Sequence, residues 1–395
     1  MPSTAQYWKI GGIQVNNKPI LKQILADHRS LWDNPQTRPV VRENFQKVLD
    51  CGTGALGADV YASSSGEKMI VPYTCKSPAC SSCGQRATRD WQQVIVSDLP
   101  EIPYVGVLFS MHKDLWEIFR ENRQLLDGLP AIAAGVLQDW ADCRHGAQVV
   151  ILAVLHTFQG RLNFYPHVHL VVSSVGLDRS GNNLIWGVAW NFYYVQEELM
   201  KRWRHGVVDY LLAALDQGLI SSARPQSELR TLFEQHRNLW WKAGVMECRS
   251  KRALVEYISR YLRRPPFAQH KLLLYDGERV RFWYIDTKSK QRVVEEYSAD
   301  EFIDRLANQV PDRYRHGVHY FGLLAPRCKG RGYEVFLALL RQKRRPRPRR
   351  TRWRKLIWLT FRRDPLLTSN GEVMQKIGWK APERPKAKAG QILRR

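Results

Sequence analysis

The chain contains no apolar run long enough to cross a bilayer, and its start, Met1-Pro2-Ser3-Thr4, shows no charged-then-apolar targeting pattern. Neither a membrane partner nor secretion is expected. No Gly-rich phosphate loop of the P-loop type is present, which argues against a nucleotide-driven motor. Internal repeats are absent as well. Cysteine is scarce, at seven of 395 residues, and three of the seven fall within nine positions. Such clustered thiols suit a reducing compartment, so a cytoplasmic location is expected rather than a disulfide scaffold. Acid is in short supply too. The 37 Asp and Glu stand against 61 Lys and Arg, a formal net charge of +24, which is the balance of a protein that binds a polyanion such as DNA. Fourteen Trp, sixteen Tyr and thirteen Phe supply flat faces on which unpaired bases can stack, although most belong to cores.

What is present begins with Pro166-His167-Val168-His169-Leu170-Val171-Val172, an apolar, β-branched run that reads as a strand. Residues i and i+2 of a strand share a face, so His167 and His169 can reach one ion. A bare His-x-His in a strand is as often a pair of hydrogen-bonded core residues. The preceding run Val149 to Phe158 reads as a second buried strand, and Gly160 turns the chain toward the pair. An antiparallel hairpin then brings His156 or Gln159 near the two rings, with His156 taken as the third ligand.

The second motif is Tyr257-Ile258-Ser259-Arg260-Tyr261-Leu262-Arg263-Arg264, stopped by Pro265-Pro266. A helix here stacks Tyr257 and Tyr261 on one face, four residues apart. Phenols on a helix are usually packing residues, but Arg260, Arg263 and Arg264 surround these and suit phosphate. A phenol oxygen attacking a phosphodiester, beside an imidazole-held cation acting as Lewis acid, would break a DNA strand and keep its end as a phosphotyrosine.

The third is Cys75-x4-Cys80-x2-Cys83, a knuckle spacing, with Cys51 upstream as a candidate fourth thiolate; the expectation is one structural Zn2+. Helical patterning covers 18–50, 86–96, 114–126, 131–143, 196–215 and 226–241. Strands are expected at 103–111, 271–275, 280–286 and 291–297. The Trp-, Tyr- and Arg-rich block 186–242 reads either as a helical subdomain facing DNA or as an ordinary packed layer. Arg344, Arg345, Arg347, Arg349 and Arg350 lie in a charged, Pro-broken stretch that is expected to grip phosphates without reading sequence.

The run His156-Thr157-Phe158-Gln159-Gly160-Arg161-Leu162-Asn163-Phe164-Tyr165-Pro166-His167-Val168-His169, followed by Tyr257 to Pro266, resembles the IS91 group of transposases in the HUH endonuclease superfamily. The likeness continues through Asp300-Glu301-Phe302-Ile303, Val310-Pro311-Asp312-Arg313 and His319-Tyr320-Phe321-Gly322-Leu323-Leu324, and so covers most of the chain in order. It implies an α+β fold: an HUH-type antiparallel sheet flanked by helices, an N-terminal helical and zinc-binding domain, and a basic C-terminal tail. The corresponding domains are 1–98 (zinc and DNA binding), 99–325 (catalytic, with the helical insertion 186–242) and 326–395.

The resemblance also implies rolling-circle-like transposition. Single-stranded DNA at transposon ends and target would be nicked and rejoined through a 5'-phosphotyrosine, with Mg2+ or Mn2+ on His167 and His169 and with Tyr257 and Tyr261 as nucleophiles. Ligand softness alone would not select Mg2+ for imidazoles. The chain departs from the family at Tyr165, where another His is common. It departs again at Tyr61 to Gly66 and at Asp364 to Gly371, where the related transposases commonly carry further cysteines. Two other classes share these motifs: a plasmid replication initiator or relaxase, and a catalytically silent DNA-binding derivative.

Overall fold

The computed structural model describes residues 9–10, 13–14, 19–248, 254–255, 266–286, 289–328 and 330–383. The chain is a mixed α and β protein with antiparallel sheets, and it forms two compact units. One comprises residues 91–264 and 311–348, the other residues 1–90, 265–310 and 349–395.

The first unit is built on a sheet of strands β1 (Tyr104–Ser110), β2 (Ala147–Phe158), β3 (Phe164–Asp178), β4 (Leu184–Trp186), β5 (Ala243–Cys248) and β6 (Val318–Gly322). The order is β6-β2-β3-β1-β5, every neighbour antiparallel, with β4 pairing the far end of β3. Both faces are covered, which is why β2 and β3 read as continuous apolar runs and not as alternating ones.

On one face Val149, Ile151, Val168, Leu170 and Val172 join Leu137, Trp140, Trp203, Leu211 and Phe233 in a single cluster. Helices Leu129–His145, Gln196–Asp216 and Gln226–Gln235 supply those partners, so block 186–242 contributes a packed layer on the sheet. Trp203 fixes its position by stacking on Phe109, 5.3 Å between centroids, and by donating from Nε1 to the Ser110 carbonyl at 3.0 Å. On the opposite face Val150, Leu152, Val154, Val171 and Val175 pack with Ile95, Leu99, Leu254, Val255, Leu323, Tyr333 and Phe336. Gly322 ends β6 with φ +57°, and a side chain there would collide with the Val149 carbonyl oxygen, so only glycine fits.

In the other unit, the pattern expected over 18–50 resolves into helices Ile20–Asp27, Arg29–Trp32 and Pro39–Asp50. Proline starts the last of these, where its missing N–H costs nothing. Trp32 meets Phe45 edge to face at 5.7 Å. A second sheet joins Leu272–Tyr275, Arg279–Ile285 and Arg292–Ser298, and Ser298 then caps helix Ala299–Gln309 by accepting from the Glu301 N–H. Phe267, Phe282 and Phe302 close that core.

Within residues 326–395 the structure describes regular elements beside the basic stretch. Helix Gly332–Leu339 buries Tyr333 and Phe336 in the first unit. In the second, Trp353–Phe361 is helical and Gln375–Lys380 pairs with Ala58–Ala62, which in turn pairs with Lys68–Pro72. Residues 342–352 carry no helix or strand. Among the described residues no helix is long and apolar enough to cross a membrane.

Candidate functional site

The β2–β3 hairpin brings three imidazoles together. His156 lies directly opposite His167 in the ladder, and Val154 opposite His169. Directly opposed residues share a face, as do residues two apart on one strand, so all three rings project from the same side of the sheet. That side is the one carrying Val154 and Val171. Ring centroids are 5.2 Å apart for His156 and His167, 5.3 Å for His156 and His169, and 4.9 Å for His167 and His169. One nitrogen from each ring lies within 4.8 Å of the other two. Gln159, the other ligand considered, sits in the turn after β2 and accepts there from the Leu162 N–H through its carbonyl.

All three histidines are buried, at 4–5 % exposure. Desolvation disfavours the charged imidazolium, pushing His167 down to about 4 and His169 well below its ordinary value, the latter further lowered by its two histidine neighbours. The two rings are therefore neutral at physiological pH, the form that binds a cation. His167 Nδ1 donates to the Tyr165 carbonyl at 2.7 Å, which fixes the tautomer and leaves Nε2 with its lone pair. Tyr165, at the family's departure point, lays its ring 4.6 Å from that of His167 and meets Trp116 edge-on at 5.0 Å.

Tyr257 and Tyr261 lie outside the described residues, and so do Arg260, Arg263 and Arg264. Two residues just ahead of them are described. Leu254 and Val255 are helical, 0 % and 2 % exposed, and belong to the cluster on the histidine side of the sheet.

The four sequence-selected cysteines also converge. Cys51 ends helix Pro39–Asp50, Cys75 follows strand Lys68–Pro72, and Cys80 and Cys83 precede helix Gly84–Asp98. Their sulfurs lie within 4.8 Å of one another. The Cys75 and Cys83 sulfurs are 3.7 Å apart; a tetrahedron with Zn–S near 2.3 Å has an edge of about 3.8 Å. Backbone N–H groups of Cys75 and Ser77 point at the sulfurs of Cys51 and Cys75, both at 3.4 Å. Donation from the other three thiols holds Cys80 below its ordinary value. Ser77 anchors the knuckle by donating to Asn44 at 2.7 Å. The donor set fits zinc.

The five arginines of the basic stretch are all exposed. Arg344 pairs with Glu334 at 3.6 Å and Arg345 with Glu101 at 2.7 Å. Two groupings were not singled out by sequence. Buried Arg123 pairs with Asp312 at 2.8 Å and lies 5.6 Å over the ring of Phe164 at the start of β3, which places the Pro311-Asp312-Arg313 motif beside the hairpin. His112, Asp114 and His236 also meet, and only the short His-x-Asp spacing hinted at it.

Comparison with known proteins agrees with this layout. Residues 151–331 match the family described as "Putative transposase", and residues 20–111 match the "Transposase zinc-binding domain". The chain is 34 % identical over 306 residues to "Transposase for insertion sequence element IS801" of Pseudomonas savastanoi pv. phaseolicola, covering 74 % of this chain and 72 % of that protein. It is 28 % identical over 295 residues to "Putative transposase y4qJ" of Sinorhizobium fredii, covering 71 % and 73 %. No solved structure matches. The fold and these relatives define a DNA transposase with a zinc-binding domain. The chain belongs to the IS91 family.

Proposed function

We propose that this transposase is an HUH-type endonuclease that nicks and rejoins single-stranded DNA through a 5'-phosphotyrosine, in rolling-circle-like transposition. The observation that carries this reading is the packing of Leu254 and Val255 on the sheet face that presents His156, His167 and His169. Positions 257 and 261 are three and seven residues beyond Leu254, the spacing of one helical stripe.

His156, His167 and His169 would hold the divalent ion. Three imidazole nitrogens leave coordination positions open, and they suit Mn2+ better than the oxygen-preferring Mg2+. When bound, such an ion polarises the scissile phosphate as a Lewis acid. The phenol oxygen of Tyr257 or Tyr261 attacks phosphorus, its proton passing to solvent. A bond from tyrosine oxygen to phosphorus forms, the bond to the 3'-oxygen breaks, and that oxygen takes up a proton. Arg260, Arg263 and Arg264 grip the phosphates during attack. Attack by a 3'-hydroxyl on the phosphotyrosine reverses the exchange and rejoins DNA without ATP, and a second tyrosine allows a second end to be held. Similarity to two transposases favours this over a plasmid replication initiator or relaxase.

Cleavage of end-labelled oligonucleotides copying the transposon ends tests the assignment. Single strands should be cut in Mn2+ or Mg2+, whereas intact duplex and plasmid-origin sequences should not. Equal cutting of duplex, or preference for a plasmid origin, would sink it.

A further inference from the structure

We propose that His112, Asp114 and His236 form a second site for a divalent cation of the zinc class, separate from the histidines of β2 and β3. His112 and Asp114 lie just beyond β1, flanking the start of the short turn Lys113–Leu115. His236 ends helix Gln226–Gln235. Segments remote in sequence thus deliver two imidazoles and a carboxylate to one point, with one donor atom of each within 4.8 Å of the others. His112 Nδ1 is 3.2 Å from Asp114 Oδ2, and His236 Nε2 is 3.9 Å from the same oxygen. Ligands about 2.1 Å from a tetrahedral zinc are separated by roughly 3.4 Å, so these spacings bracket a coordination edge.

A second observation points to a missing ligand. His236 is completely buried, and neither of its ring nitrogens has a hydrogen-bond partner. A buried imidazole with both nitrogens unsatisfied is rare in a native fold, because each nitrogen gives up its water without a replacement. His112 adds to the case. Its Nδ1 lies 3.2 Å from the Asp114 carboxylate oxygen, and its contact with the Asp114 N–H is long, at 3.5 Å. A proton on His112 would relieve that pair alone and leave His236 as it is. A cation relieves all three groups together.

Two imidazoles and one carboxylate are borderline donors that suit zinc or a neighbouring transition ion, with a fourth position left to water. The side chains of His112 and Asp114 are 33 % and 43 % exposed, which provides the entry path. The bound ion clamps the turn after β1 to the end of helix Gln226–Gln235. That clamp reinforces the junction where the Ser110 N–H donates to the Lys242 carbonyl at 3.0 Å, at the end of β1 that faces His167.

The test counts zinc in the full-length protein after equilibration with micromolar Zn2+ and desalting, by mass spectrometry of the metal, alongside the zinc-induced rise in Tm. His112→Gln, Asp114→Asn and His236→Gln should each carry one equivalent less than wild type and show a smaller rise, while Cys51, Cys75, Cys80 and Cys83 keep theirs. Should His236→Gln fail to fold, the two partly exposed variants decide. Unchanged zinc content and an unchanged rise in Tm in folded His112→Gln and Asp114→Asn would overturn the site.

Discussion

His156 faces His167 across the β2–β3 ladder with ring planes at 85°, so a nitrogen of one ring and a nitrogen of the other can address the same point. This cross-strand relationship is what joins an isolated His-x-His to a third donor. If the three rings bind the catalytic ion, replacing His167 or His169 with Ala should lower strand cleavage by at least the ~100-fold that even outer supporting residues of a metal site can command. His156→Ala should lower it too, since removing any one of the three rings leaves two donors. Cleavage rates at saturating Mn2+, with circular dichroism as the folding control, check this, and undiminished cleavage by His167→Ala would exclude the ligand role.

The depressed basicity of His167 and His169 has a pH signature. In the unfolded chain an imidazole takes up a proton below about 6.5, whereas folded His167 refuses it until about 4. The folded pKa lies below the unfolded one, so the contribution to stability is intact above about 6.5 and is lost progressively as pH falls toward 4. His167 alone accounts for about 3 kcal/mol across that window. Urea titrations of the metal-free protein should show this loss, and it should shrink in His167→Gln. In the folded protein the same property keeps Mn2+ affinity flat between pH 8 and 6. A steep fall in affinity around 6.5 would indicate imidazoles that titrate normally.

Zinc removal should unfold the knuckle, because binding free energy at such a site is folding free energy. Cys80→Ser, at the most buried of the four thiols, is expected to lose one zinc equivalent and to lower the Tm of the unit containing it. Metal analysis and calorimetry report both. Retention of that equivalent in Cys80→Ser would contradict the four-thiolate assignment.

Gly322→Ala should destabilise the sheet by about 2 kcal/mol or more, since the new methyl meets the Val149 carbonyl oxygen and the backbone is left-handed there. Chemical denaturation measures it. A neutral result would mean that β6 ends differently.

Exposed Arg347, Arg349 and Arg350 are expected to grip phosphates. Replacing all three with Ala should weaken binding to every DNA sequence alike and reduce the salt slope by about 1 for each phosphate no longer neutralised. Binding isotherms at low and high salt show this directly; an unchanged slope would remove the segment from the interface.

Much of the fold was legible because local patterns and tertiary burial agree. The strand expected at 103–111 is β1, and the run Val105 to Phe109 needed no other information. The helix expected over 114–126 is interrupted. Asn122 breaks it into Trp116–Glu121 and the turn Arg123–Asp127 while donating from Nδ2 to the Ser221 carbonyl at 2.9 Å, a bond to a distant segment that no local pattern encodes. Strand Gln375–Lys380 lies inside a region that reads as a basic tail, since its exposed Ile377 and Trp379 give no core-facing period. The imidazoles of β2 and β3 were legible through hairpin spacing. His112, Asp114 and His236 were not, because helix and strand must first pack before those residues meet.

The most direct measurement is the covalent adduct formed on a 3'-labelled single-stranded oligonucleotide bearing the transposon end. The account predicts an adduct in Mn2+ or Mg2+, none in EDTA or in the Tyr257→Phe, Tyr261→Phe double variant, and unequal losses in the two single variants. An adduct of full yield in EDTA, or one that survives loss of both phenols, would contradict it, as would a folded wild-type protein that forms none.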